Sequence, residues 1–486
     1  MGNWLDNVIG FVSPKTGYER EAWRNNLQAL RNYDAGDFER LNSGWRAFND
    51  SAEFTDRGSR DTVRARARDL ERNSDIANSV IGAYKRNVIG AGYNLQARTG
   101  DHDLNEQIEK LWKKWGRKRN CDVTATQSLK QMLRMIEERK KVDGGILINK
   151  VFTDGGVIPF KLQCLEVDEL DVSRADPKHK GNKVVGGIEL NQYNRAVGYW
   201  IKQYSLDGIG LSESVYVEEK NMIYIFTKKR PSQVREISDL APTVTRIRDA
   251  NEFMTAVSVK ERIAACLSVF IKQNTPAGGV GRTGASSAPK YNYNGKTLTP
   301  GMIKYLNPGD DVQTVNPSGQ SADATSFIKL QQRLIGAGQG ISYESTSRDM
   351  SESNYSSARQ GIIEDDLTFI EDKELIIETI DEIYETFLIS AVLSGALNIK
   401  DFWSNKEKYM NHEWIQEPKR WIDPAKESTA NKTALQTGQK TFKQIAAETG
   451  RDWRDQIDDM AEVLEYARSK GVELGGVINE KKTTAN

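Results

Sequence analysis

The sequence predicts an α+β protein carried on long helices, and three observations predict it. Helix-forming segments come first and short β-branched strands second, without the alternation that a parallel sheet requires. From about Pro242 to Lys272 a single apolar stripe persists, which at 1.5 Å per residue makes a helix of roughly 45 Å. Arg348 to Val392 then turns from a polar loop into a second long helix, with apolar residues at Ile363, Leu367, Ile370, Ile377, Ile380, Tyr384, Phe387 and Ala391.

Taken in order, residues 1–56 read as an arm. Its aromatics, Trp4, Phe11, Tyr18, Trp23, Tyr33, Phe38, Trp45, Phe48 and Phe54, are too sparse for a core. They suit packing on a neighbouring subunit or on the chain's own body. Arg60, Arg64, Arg66, Arg68 and Arg72 follow on a helix whose inner side carries Val63, Ala67 and Leu70, and such a charge run ordinarily faces solvent. A helix over Ala77–Asn87 ends at Gly90-Ala91-Gly92, a turn into a strand, since a third glycine and a βαβ setting are missing for a nucleotide site. Helices over Leu104–Trp115 and Ser128–Val142 precede strands over Ile146–Phe152, Phe160–Leu165, Val184–Leu190, Val197–Tyr204 and Met222–Thr227.

The long helix from Pro242 carries Val244, Ile247, Met254, Val257, Ala264, Leu267 and Ile271 on one face. A helix of that length needs partners along most of it, and copies of itself supply them. A Pro/Gly-rich insert runs from Gln273 to about Gln320, with two strands, Met302–Leu306 and Asp311–Val315, joined at Asn307-Pro308-Gly309-Asp310. Phe327–Ile335 reads as a short helix that breaks at a hinge, Gly336, Gly338 and Gly340. The loop Arg348–Arg359 is too rich in Ser, Asn and Asp to prefer helix or strand. Beyond it Glu364, Asp365, Asp366, Glu371, Asp372, Glu374, Glu378, Asp381, Glu382 and Glu385 make an acidic face. Trp403, Trp414, Pro418 and Trp421 mark an irregular crossing, helices over Lys440–Ala447 and Asp452–Ser469 stop at Gly450 and Gly471, and Glu480–Asn486 is a loose tail.

Composition bounds the function. The 486 residues have room for two or three domains. With 38% hydrophobic and 28% charged residues and a mean hydropathy of −0.62, the chain is polar enough for exposed helices. Its 68 basic and 68 acidic residues cancel, which argues against holding nucleic acid by bulk phosphate neutralisation and leaves open a protein that lets DNA pass. Cys121, Cys164 and Cys266 are too scattered for a disulfide framework or a C-x-x-C metal site, and a reducing compartment fits. Asp6 stands where a signal peptide carries bases, and the longest apolar run, Ile263–Ile271, is about half of what a bilayer demands.

Catalytic motifs are scarce. No P-loop is present, and His102, His179 and His412 are spaced neither as a metal pair nor beside a nucleophile. Carboxylates are plentiful, so a two-metal DNA nuclease is the alternative from the enzyme class, although clustered acids on one helix face more often meet solvent than magnesium.

Several segments, in order and spacing, resemble the lambda family of tailed-bacteriophage portal proteins over nearly the whole chain. They are Arg64–Asn73, Asn87–Gly92, Leu240-Ala241-Pro242, Leu298-Thr299-Pro300-Gly301, Leu306-Asn307-Pro308-Gly309, Asp349-Met350-Ser351, Asn354–Arg359, Trp421–Glu427 and Thr449–Asp452. The Asn-Tyr-Ser-Ser-Ala-Arg run is the most specific, and a phage tail or baseplate structural ring is the further alternative.

The resemblance implies a ring of about twelve subunits at one capsid vertex, a component of the virion assembled in the host cytoplasm. Double-stranded DNA is pumped in through it and later leaves. Its partners are then the large terminase subunit, the major capsid and scaffolding proteins and the head–tail connector, with no membrane, metal, cofactor or catalytic residue.

By analogy residues 57–235 are the α+β wing, 236–273 and 321–337 the stem helices, and 274–320 the clip. Residues 338–360 are the tunnel loop and hinge, 361–424 a long wing helix and crossing, 425–471 the crown and 472–486 a tail. The resemblance puts Arg348, Asp349, Met350, Ser351, Asn354, Tyr355, Ser356, Ser357 and Arg359 at the DNA-facing constriction. It puts Leu298, Thr299, Pro300, Gly301, Pro308 and Gly309 at the contact with terminase or connector. A neutral chain with an acidic helix suits a channel wall that repels phosphate over roughly a Debye length.

Overall fold

The structure, a computed structural model, describes residues 11–16, 18–20, 22, 49–202, 213–265, 269–273, 303–308, 321–351, 354–416 and 424–472. The chain divides into an N-terminal unit of residues 1–55 and a body of residues 56–486. Most of the expected arm lies outside the described residues.

The body is α+β. It opens on α1 (Arg60–Asn73) and α2 (Asp75–Tyr84), the second prolonged by a π-helical turn, Lys85–Ile89. Ser74 caps α2, its hydroxyl accepting from the Ala77 amide at 3.3 Å. The chain turns at Gly90–Gly92 into β1 (Tyr93–Ala97), then forms α3 (His102–Trp115) and α4 (Leu129–Asp143). β2 (Gly145–Val151) lies between β3 (Lys161–Leu165) and a later strand, β8 (Met222–Phe226), antiparallel to both. β4 (Lys183–Val185), β5 (Ile188–Leu190), β6 (Ala196–Ile201) and β7 (Val215–Glu218) make a second antiparallel sheet in sequence order. The single strand expected over Val184–Leu190 is therefore a hairpin, folded at Gly186-Gly187.

Within the second sheet the buried Glu189 carboxylate accepts from the amides of Lys178 and His179, both at 3.0 Å, and from Asn182 Nδ2 at 2.7 Å. Burial alone would raise its pKa, but these donors outweigh it and hold the carboxyl down at about 2. A folded pKa below the unfolded value means that the contribution is complete above about pH 4.5 and is lost as pH falls from there towards 2. Glu189→Gln is expected to lower the melting temperature at pH 7 and to lose most of that difference by pH 3, as followed by circular dichroism.

The main core gathers on the helix that dominates the second half, α8 (Tyr355–Leu393), of 39 residues. Trp112 of α3 meets Phe387 edge-on at 5.0 Å and Trp414 at 5.6 Å, while Trp115 stacks on Phe160 at 5.4 Å and donates from Nε1 to the Phe160 carbonyl at 2.8 Å. Trp414 belongs to β11 (His412–Gln416), which pairs antiparallel with β1, so the crossing expected to be irregular contains a strand.

Two expectations about α8 are corrected. Its buried stripe is Phe369, Ile376, Ile380, Ile383, Tyr384, Phe387, Leu388 and Ala391, while Ile363, Leu367 and Ile370 are exposed. The helix thus bears two apolar stripes, and the single subunit covers only one. Its acids are not one solvated face either. Asp365 and Asp372 are buried, Asp381 accepts from His412 and from Trp414 Nε1 at 2.8 and 2.5 Å, and Glu382 pairs with Lys150 at 2.6 Å. Glu364, Glu371, Glu374, Glu378 and Glu385 remain exposed.

The basic helix α1 is likewise an internal strut on one side. The buried Arg60 and Arg64 donate to the Glu236 carbonyl and carboxylate at 2.9 and 2.8 Å, and Arg68 reaches Asp143 at 2.7 Å and Asp168 at 2.6 Å. The reason lies far along the chain. The segment after β8 runs back through the interior with Gln233, Arg235, Glu236 and Ser238 buried, and a buried carboxylate requires cations.

The long helix expected from Pro242, α5 (Val244–Ala265), is shorter than its stripe suggests. β9 (Val269–Gln273) occupies residues expected to continue it, since Val269-Phe270-Ile271 favours extended backbone. β9 pairs in parallel with β10 (Ile303–Pro308); the expected strand Asp311–Val315 lies outside the described residues. α6 (Ser321–Gln339) returns along α5, with Phe253 and Phe327 ring to ring at 4.4 Å. The C-terminal helices are α9 (Pro424–Gln436), α10 (Phe442–Glu448) and α11 (Trp453–Ser469). Among the described residues no helix is long and apolar enough to cross a membrane.

Candidate functional site

The loop between α6 and α8 is built from short-range hydrogen bonds. After Gly340 the chain forms α7 (Tyr343–Ser347), capped by Ser342, whose hydroxyl accepts from the Ser345 amide at 3.2 Å. Asp365 of α8 pins this turn by accepting from the Ser342 amide at 2.6 Å, from the Ser342 hydroxyl at 2.8 Å and from the Ser345 hydroxyl. The polar run Ser342–Thr346 is thus cap and anchor, and Thr346 is buried. Arg348 ends α7 in the left-handed region, φ 59°, with its amide donating to Glu344 O at 2.8 Å. Asp349 accepts from the Ser351 amide at 3.0 Å and from the Tyr343 hydroxyl at 3.3 Å, and the Ser351 donors hold its pKa below the usual carboxylate value.

The loop is shorter than the residues suggest. Asn354 is the N-cap of α8, in a reciprocal box with Ser357: Ser357 N donates to Asn354 Oδ1 at 2.9 Å and Asn354 N to Ser357 Oγ at 3.0 Å. Tyr355, Ser356, Ser357 and Arg359 therefore sit on the first turns of the helix, whereas Arg348, Asp349, Met350 and Ser351 lie before it. A cap residue followed by a hydroxyl three positions on is a helix-start signal that outweighs the low helix propensity of Ser and Asn. Arg348, Met350, Ser351, Asn354, Ser356, Ser357 and Arg359 are exposed.

The three hinge glycines do different things. Gly336 and Gly338 lie inside α6, which ends only at Gln339. A Cβ on Gly336 would stand 2.7 Å from Ile341 O, and one on Gly338 2.7 Å from Thr243 Cγ2, so both admit close packing of neighbouring chain. Gly340 alone breaks the helix, at φ +70°, with its carbonyl accepting from Thr368 Oγ1 at 2.6 Å.

Behind this loop α2, α4, α6, α8 and the segment that leads into α5 meet at a polar cavity of about 340 Å³. Lys140 and Lys141 of α4 bind Asp239 and Asp372 there: Lys140 to Asp239 at 3.0 Å and to Asp372, and Lys141 to Asp372 at 2.7 Å. Burial alone would lower both lysine pKa values, but the two carboxylates outweigh it and raise them. Glu137, fully buried one turn earlier on α4, has no hydrogen-bond partner among the described residues, and burial, then Asp372, pushes its pKa up to about 7. This cluster joins residues far apart in the chain, and periodicity carries no signal of it.

Of the residues expected at the clip, Pro308 ends β10, while Leu298, Thr299, Pro300, Gly301 and Gly309 lie outside the described residues. Among the described residues no group of three or more His, Cys, Asp or Glu is placed to hold a metal ion.

The sequence model described as phage portal protein, lambda family, matches residues 38–371, more than half of the chain. A probable portal protein of Halomonas phage phiHAP-1 is 24% identical over 452 residues, covering 89% of this chain and 86% of the relative. Portal protein B of Escherichia phage lambda is 19% identical over 433 residues, covering 80% and 81%. Among solved structures, a chain in the neck of an empty gene transfer agent particle, computed with C6 symmetry, aligns at a TM-score of 0.46 with 15% identity over 81% of this chain and 94% of that one. A chain in the neck of the native particle, computed with C12 symmetry, aligns at 0.43 with 14% identity over 81% and 98%. On the family match, this chain belongs to the lambda family of phage portal proteins.

Proposed function

We propose that this portal protein forms a ring of about twelve subunits at one capsid vertex, through which double-stranded DNA is packaged and later ejected. The ring takes its place with the major capsid and scaffolding proteins during assembly in the host cytoplasm. It docks the large terminase subunit during packaging and the head–tail connector afterwards, and it has no catalytic activity of its own. The loop Arg348–Ser351 and the first turn of α8 face the DNA, with Gly340 as the pivot between them and the stem.

The observation that carries the reading is the pair of exposed apolar stripes in a chain of this family. Ile363, Leu367 and Ile370 on α8, and Phe327, Leu330 and Leu334 on α6, recur at helical spacing and are exposed in the single subunit. Head-to-tail contact between copies covers such stripes, and a rotation that closes makes a ring. Solution mass with electron-microscope top views tests it: the expected species is a ring of about 656 kDa, twelve chains of 54.7 kDa, around a central hole. A clean monomer that stays monomeric with scaffolding protein present would remove the reading.

For the loop, replacing Arg348 and Arg359 together with Ala is expected to leave rings intact and to reduce the DNA packaged per head. Unchanged DNA content would show that the loop does not touch DNA. Incubation with plasmid and magnesium separates the conduit from a nuclease, since a conduit leaves the plasmid uncut.

A further inference from the structure

The surface between α3 and α4 gathers cations that have no acids to meet. Lys110–Arg119 holds six cations and no acid in ten residues, in a chain whose net charge is zero. Lys113, Lys114, Arg117, Lys118 and Arg119 are exposed, and among the described residues none of them binds a carboxylate. Lys110 alone does, through Glu106.

Helix electrostatics explains part of this run. Lys113 and Lys114 fall in the last turn of α3, where the macrodipole favours a cation. Arg117, Lys118 and Arg119 lie beyond that turn, and Lys130 sits in the first turn of α4, where the macrodipole disfavours one. Lys130 is exposed and, among the described residues, binds no acid either. Its stem lies against Gly92, with Cγ and Cδ 3.0 Å from the place a Cβ there would occupy.

Three of these cations, Lys113, Arg117 and Lys130, line a cleft of about 490 Å³, within the range of ligand-binding clefts. Its apolar lining is Tyr93, Leu95, Trp112, Leu129 and Leu133, all buried. Its two acids are engaged, Glu106 by Lys110 and Glu109 by the Ala97 amide, which donates to it at 2.9 Å. An apolar centre inside a polar rim is the anatomy of a protein interface. The cations continue past the cleft through Lys118 and Arg119, which suits an extended acidic segment better than a small anion. DNA in passage is remote from here. Trp112 meets Phe387, and Arg359 and Phe387 stand roughly 40 Å apart along α8 at 1.5 Å per residue.

We propose that this cleft docks an acidic segment of another protein, with carboxylates on the cations from Lys113 to Arg119 and on Lys130 and an apolar side chain in the cleft. The proposal rests on the conduit reading only in setting DNA aside as the occupant.

The test titrates the purified full chain with a labelled synthetic peptide, a helix-forming run of glutamates with leucines on one face, at about 100 mM salt. A twin peptide with serine for each leucine and a short DNA duplex are the comparison ligands. The leucine peptide is expected to bind, the serine twin to bind about tenfold more weakly, and the Lys113→Glu/Arg117→Glu double variant to lose a similar factor. Both side chains are exposed, so that variant should melt as wild type. Lys113→Gln/Arg117→Gln, which adds no acid, should bind between the two. Arg66→Glu on α1, an exposed cation outside the cleft, should bind as wild type. A serine twin that binds as tightly as the leucine peptide would reduce the site to general charge attraction and overturn it. A leucine peptide that fails to bind, or that binds the double variant as it binds wild type, would overturn it too. A duplex that binds wild type and is lost from the double variant would make nucleic acid the occupant, with the same result. Electron-microscope top views judge the conduit reading apart: a chain that forms no ring with scaffolding protein present would sink that reading and leave the peptide result standing.

Discussion

Replacing Asp372 with alanine is expected to lower the stability of the subunit by about 3–5 kcal/mol, the usual cost of removing one partner from a buried ion pair. Asp372 binds both Lys140 and Lys141, whose side chains are 1% and 8% exposed, and Asp239 alone would remain for two ammonium groups. The cluster joins α4, the segment that leads into α5, and α8, so the loss is felt where these three meet. Its pH dependence has a definite sign. Asp372 is one of the groups that hold Glu137 neutral, so without it Glu137 ionises more readily and supplies part of the missing charge. The destabilisation should therefore be larger at pH 5 than at pH 8. Urea midpoints followed by circular dichroism at both pH values check this; a loss below about 1 kcal/mol at pH 5 would show that Asp239 suffices.

The second large effect concerns assembly. Leu367→Glu changes a side chain that is 61% exposed in the single subunit, so the melting of the subunit should move little. In a ring that buries the stripe of Ile363, Leu367 and Ile370, the same change places an unpaired carboxylate in every interface. Such burial costs several kcal/mol per contact, enough to convert rings to monomers at micromolar concentration. Sedimentation should then show a species of 54.7 kDa. Rings that persist would place the subunit contact on another face and return attention to Phe327, Leu330 and Leu334.

Both effects turn on details that the amino-acid pattern announces unevenly. The long helix of α8 is legible from its spacing, and so is the polar segment before it. The angle of the buried stripe is not, because the helix bears two stripes and only packing says which one the subunit covers itself. The Asn354 cap was open to reading, since cap residues are local chemistry, and it moves Tyr355, Ser356, Ser357 and Arg359 from loop to helix. Gly336 and Gly338 looked like a hinge because glycine weakens helices; their packing against Ile341 and Thr243 is a contact made at a distance.

By itself the sequence determined the α+β class, the order of helices and strands, the position of the polar loop and, through short motifs in fixed order, the family. These depend on local propensity and on period, which a linear string carries. Tertiary structure alone decided that Arg60 and Arg64 support the interior instead of meeting solvent, and that Asp365 and Asp372 are anchors and not part of a charged wall. Each of these pairs residues distant in the chain, and a charge has no direction until the fold puts a partner, or none, in front of it.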